Sequence, residues 1–138
     1  MTVDDRGSVT VWTLGMVLIV LFLGAISFDL WSGFGTRREY AGAADQAAQA
    51  GANALDTSLF RSTGERKLDP ERAEQLAAEN LATHELANVT GVVIEATTDE
   101  VVVEVTGDVD VGLLRIFGDG DPLVVHVRAV GQPREDTP

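Results

Sequence analysis

The 138-residue chain contains no cysteine. That absence removes both a disulfide framework and any thiolate metal site. Positive charge is also scarce, with ten Lys and Arg against 22 Asp and Glu and a formal net charge of -12. Binding of nucleic-acid phosphates needs a basic stripe, and the few cations here are scattered, so DNA and RNA are excluded as partners. Proline occurs only at 70, 122, 133 and 138, which leaves everything before Pro70 without an obligate helix breaker. His84 and His126 are the only imidazoles. There is no H-E-x-x-H, G-x-S-x-G, phosphate-cradling glycine loop or dinucleotide fingerprint. Each histidine is read as a solvent-facing or hydrogen-bonded side chain, and neither catalysis nor a cofactor is expected.

What is present is a concentration of apolar residues. A mean hydropathy of +0.10 is high for so acidic a chain, and the excess lies at the N-terminus. Ser8 to Phe28 is a run of 21 uncharged residues, bounded by Arg6 and Asp29. At 1.5 Å per residue it spans about 30 Å, the thickness of a bilayer's hydrocarbon core. Trp12 and Trp31 sit where interfacial aromatics are expected. The run is read as a transmembrane helix. A cleaved secretory signal would have a cationic head and an apolar stretch of about 7–15 residues. Here the head is MTVDDRG and the run is longer, although Gly33 and Gly35 loosely mimic a cleavage region. A buried core helix of this kind would need more surrounding protein.

Beyond the run, RREYAGAADQAAQAGANALDTSLF is alanine-dominated and nearly free of β-branched residues, which favours helix. One long helix is expected from about Ser8 to about Phe60, apolar first and amphipathic after, with Gly33 and Gly35 the natural place for a bend. Arg61–Leu68 is polar and reads as a linker. Asp69-Pro70-Glu71 is a helix start, with Asp69 as N-cap, and this helix should run to about Asn88. Period-two β-branched runs follow at 92–97 and 101–106, joined by Thr98-Asp99-Glu100, and again at 123–130. Leu113–Phe117 resembles one apolar helical turn, and 132–138 a loose tail. The fold class is therefore α+β: a long N-terminal transmembrane helix continuing as an amphipathic helix, then one helix on a three-stranded antiparallel sheet. The domain organisation is a head at 1–7, the helix at 8–60, a linker at 61–68, an extracytoplasmic domain at 69–131 and the tail.

Three further features bear on function. Asp108-x-Asp110-x-Gly112 and Asp119-Gly-Asp121 share the carboxylate-and-turn character of calcium loops, but lack the full ligand set and closing Glu of an EF-hand, and Asp-Gly pairs are ordinary turn formers. No metal site is assigned. Asn88-Val89-Thr90 is a sequon of a kind short sequences often contain. Tyr40, Ala44, Ala47, Ala48, Gly51 and Leu55 form a stripe of mostly small residues. Alanine at these positions either simply stabilises a solvated helix or, through Ala44-x-x-x-Ala48 and Ala47-x-x-x-Gly51, lets another helix approach closely, as Gly15 and Gly24 would inside the membrane.

R-G-S-V-T-V-W before the apolar span, then Asp29, Arg37-Arg38 and A-A-D-Q-A-A-Q-A-G-A at 43–52, resembles the N-terminal region of TadE/TadG-like proteins, bacterial pseudopilins or minor components of the tight-adherence (Flp) pilus machinery. Leu113–Gly118 and the strand ending Ala129–Gly131 are similar to the end of many such proteins. The resemblance implies a cytoplasmic head, a single membrane-inserted helix and an extracytoplasmic domain. It also implies a processing site for prepilin peptidase between Gly7 and Ser8. The family's early-helix glutamate is replaced here by Trp12, a departure that bears on both processing and filament incorporation. Positive-inside counting, with Arg6 and the terminal amine against Arg37-Arg38, slightly favours the opposite orientation; the resemblance decides for an N-terminus inside, because long acidic domains translocate largely regardless of charge. The expected partners are the membrane and other Tad/Flp-type pilus or secretion components, with homo- or hetero-oligomerisation through the N-terminal helix. The alternative is a single-pass anchored module binding a cell-wall or protein ligand, unrelated to a filament.

Overall fold

The computed structural model describes residues 5–109, 112 and 121–133, with the backbone alone at 5–8. The elements are α1 (Asp5–Gly51), α2 (Thr57–Thr63), α3 (Pro70–Ala82), β1 (Val89–Ala96), β2 (Val101–Val109) and β3 (Leu123–Gly131). The strands form one antiparallel sheet in the order β1-β2-β3. This is the α+β architecture expected from the sequence.

The sheet is two-faced because β2 alternates. Val101, Val103, Val105 and Val109 point inward and are buried, while Val102, Glu104, Thr106 and Asp108 point outward. Two helices cover the inner face. One is α3, which contributes Ala73, Ala77 and Leu81. The other is the second half of α1, which contributes Tyr40, Ala43, Ala44, Ala47 and Ala48. The expected domain at 69–131 thus lacks one wall of its own core, which the end of the long helix supplies. On the outer face Glu104 lies 3.6 Å from Arg128 and 3.8 Å from His126, whose Nδ1 is 2.9 Å from the Thr106 hydroxyl.

Tyr40 is the largest fully buried side chain in the core. Its hydroxyl donates to the Ala87 carbonyl at 2.5 Å. Burial, with the charges of Glu39 and Asp108 adding to it, pushes the phenol above its usual range, so it stays a neutral donor. The ring crosses β2 at Gly107, where any Cβ would overlap it.

Several boundaries differ from expectation. The long helix is unbroken through Gly33 and Gly35 but ends at Gly51 rather than near Phe60. Ala54 is buried, Leu55 bridges to Leu68, and Asp56 starts a new helix by accepting from the N–H groups of Ser58 and Leu59 at 2.9 and 3.0 Å. A strong N-cap at this position stops the alanine helix from propagating. The expected linker at 61–68 is partly the end of α2, and it is fastened: Leu68 is buried and its N–H donates to the Thr98 carbonyl at 2.8 Å. Asp69 caps α3 as expected, accepting from Arg72 N–H. That helix stops at Ala82 instead of Asn88, because the chain must reverse before β1, and Asn88 adopts a left-handed φ of 58° to do so. The expected turn at 113–117 and most of the tail lie outside the described residues.

Candidate membrane anchor and helix-packing face

The first half of α1 is largely exposed. Val9–Gly51 contains a window apolar enough to cross a membrane, and none of that window is buried within the protein. Val9 to Leu23 presents valine, leucine, isoleucine, methionine, tryptophan and phenylalanine to the surroundings. A soluble domain would not leave so large a surface in water. Two of its hydroxyls are satisfied within the helix: Thr13 donates to the Val9 carbonyl and Ser27 to the Leu23 carbonyl, each at 2.8 Å. In lipid, where water cannot serve, such back-bonding removes the cost of an unpaired polar group.

The residues singled out for helix packing fall into two groups. Ala44, Ala47, Ala48 and Gly51 are buried, and the faces they present are taken by this chain's own α3 and sheet. At Gly51 a Cβ would stand 2.8 Å from the Ala73 carbonyl, so the small residue sets how closely α1 and α3 approach. Gly15 and Gly24 lie in the apolar half, and among the described residues nothing comes within 4 Å of where their Cβ atoms would be. Gly7 and Ser8 lie in the opening turns of α1, and Trp12 is exposed on it.

The chemistry-bearing side chains do not converge. His84 follows the end of α3 and His126 lies on the outer face of β3. Asp108, Gly112 and Asp121 are described, whereas Asp110 and Asp119 lie outside the described residues. No group of three or more His, Asp or Glu side chains among the described residues could hold a metal ion. Asn88 of the sequon is exposed in the turn before β1.

One feature went unread in the sequence. Asp29, taken as the end of the uncharged run, is only 8% exposed. Gly112 lies beside its carboxylate, and Asp29 also lines a groove of about 390 Å³ with Leu30, Phe34, Arg37, Leu123 and Val124. The signal was available: Asp29 is the only charged residue from Gly7 to Thr36.

An exposed apolar helix that runs without a break into the core of a small α+β domain defines a candidate single-pass membrane-anchored protein. Residues 7–54 match the family model Tad, described as putative Flp pilus-assembly TadE/G-like, so the N-terminal helix of this chain is similar to that of TadE/G-like proteins. The matched segment ends three residues past α1. No curated protein and no solved structure matches the chain.

Proposed function

We propose that the chain is a non-enzymatic, single-pass component of a Tad/Flp-type pilus or related secretion apparatus, with its N-terminus in the cytoplasm and its α+β domain outside. The observation that carries this is the coincidence of two features on one helix: the TadE/G-like segment at 7–54 contains the apolar span, and its far end is built into the domain core. Such a helix transmits the position of the membrane rigidly to the domain. The acidic surface suits an aqueous compartment, since residues 37–138 hold nine cations and 19 acids, a net of -10. The 69–131 segment is presented together with the Tyr40–Ala48 face of α1 as one unit. Partners are other components of the apparatus, and Gly15 and Gly24 are the small residues left open for contact within the bilayer.

Two measurements test this. Because the chain has no cysteine, Thr98→Cys at the β1–β2 turn is a unique thiol, and an impermeant maleimide should label it in intact cells; protection there with labelling after lysis would overturn the orientation. Intact-mass analysis from native membranes addresses processing. A species beginning at Ser8 supports pilin-type cleavage after Gly7, and one beginning at Met1 or Thr2 removes that step and leaves an unprocessed anchor.

A further inference from the structure

The membrane surface does not end where the uncharged run ends. Residues 7–36 carry a single charge, Asp29, and that carboxylate is withdrawn against the domain. With it masked, the exposed apolar surface of α1 continues through Phe28, Leu30, Trp31 and Phe34, the last two 78% and 64% exposed. Thirty residues of helix measure about 45 Å, the thickness of a bilayer with its headgroup layers rather than its core alone.

The sheet meets this extension. Val109, at the end of β2, lies 3.8 Å from where a Cβ on Gly33 would stand, while Gly131 packs on the Ala48 carbonyl. β3 therefore runs alongside α1, starting at the membrane-proximal end and finishing far from it. At that start Leu123 and Val124 are 54% and 60% exposed, and both line the groove shared with Leu30 and Phe34. Leu123, in register with the inner face of β3, and Val124, on its outer face, are both exposed at this end of the strand; two such apolar side chains beside an interfacial tryptophan are costly in water and favourable among lipid headgroups and upper acyl chains.

We infer that the β3 start, Leu123–Val124, is a second membrane contact, seating the sheet end-on against the bilayer surface beside α1. This rests on α1 spanning the membrane. The occupant is lipid because the patch is continuous with the exposed apolar face that α1 presents to the bilayer. A zwitterionic surface suits it best, since exposed Asp121 lies two residues away and the protein is strongly acidic. Two contacts, one along a helix and one on the sheet, fix the tilt in the bilayer of the rigid helix-and-domain unit, which the helix alone would not fix.

The test uses the full chain in phosphatidylcholine vesicles, with single fluorophores on Leu18→Cys, Val124→Cys and Thr98→Cys and spin-labelled lipids quenching at shallow or deep positions. The expected pattern is deep quenching at 18, shallow quenching at 124 several-fold above that at 98, and little at 98. If 124 is quenched no more than 98 while 18 is quenched, the sheet does not touch lipid and the inference falls with the anchor intact. If 18 is not quenched, the anchor itself is wrong and the inference falls with it. Lipid-independent self-quenching at 124 that disappears on dilution with unlabelled chain would assign the patch to a second copy and overturn the lipid contact. Leu123→Glu should reduce shallow quenching at 124 several-fold without lowering the domain's melting temperature; unchanged quenching would overturn the role given to Leu123.

Discussion

Tyr40 and Gly107 should behave as one unit. Gly107 lies in the central strand, where glycine is ordinarily the weaker choice, by about 0.5–1 kcal/mol relative to alanine. On that basis Gly107→Ala would stabilise. Here its methyl would overlap the Tyr40 ring, and overpacking a fixed core costs about 1–3 kcal/mol. The expected sign is therefore destabilising, and Tm should fall by about 4–8 °C for each kcal/mol in a domain of this size. Tyr40→Ala removes the largest fully buried side chain and the bond to the Ala87 carbonyl; by analogy with other aromatic truncations it should cost about 3–5 kcal/mol. In that background Gly107→Ala loses its obstruction and gains strand propensity, so the double variant should be more stable than Tyr40→Ala alone. The coupling should reach about 1–3 kcal/mol, well outside the additivity of independent sites. Thermal unfolding of the full chain in detergent, followed by the sheet signal and run in sucrose so that the weakest variant stays folded, reads the cycle. Effects that add to within about 0.5 kcal/mol would refute the packing of Tyr40 across Gly107.

Tyr40→Phe keeps the ring and loses only the hydrogen bond, so it should cost about 1–2 kcal/mol in the same melt. Asp69→Ala should cost about 1 kcal/mol by uncapping α3, seen as earlier exchange of the Arg72 amide. Gly15→Leu and Gly24→Leu should leave the domain melt unchanged, because no described residue comes within 4 Å of either Cβ position, and a lowered Tm would show that this part of α1 packs on the domain. Stability should also fall in acid. The Ser58 hydroxyl and the backbone N–H groups that Asp56 caps hold its carboxyl below the usual range, and the Lys67 ammonium does the same for Asp99. Lowered carboxyl pKa values contribute stability that is complete above about pH 4 and lost as pH falls through the depressed values. The same contact raises the Lys67 pKa, so its contribution holds below about pH 10.4 and is lost only above the raised value. A urea midpoint that did not fall below about pH 4 would argue against these contacts.

Much of this molecule could be read from period and punctuation. The 21 uncharged residues, the Asp69-Pro70 start and the alternation of β2 each express one local rule, and each reappears in the structure. The misreadings share a cause: local preference was overruled by a partner distant in sequence. Ala52 and Ala54 would extend a helix, but Leu55 pairs with Leu68, and Asp56 offers a better cap than an interior residue. Tyr40, Ala44, Ala47, Ala48 and Gly51 of the small-residue stripe share one buried face, while Leu55 falls beyond the end of the helix, and nothing local distinguishes a foreign helix from α3 and the sheet as the cover of that face. Asp29 is the sharpest instance. Next to an apolar run a carboxylate marks the end of a span, because leaving it in lipid is expensive. Folded, it is withdrawn beside Gly112, more than 80 residues further along the chain. Because the domain folds back against α1 at Asp29, where the exposed apolar surface of this helix ends is a tertiary property that the helix sequence alone does not set.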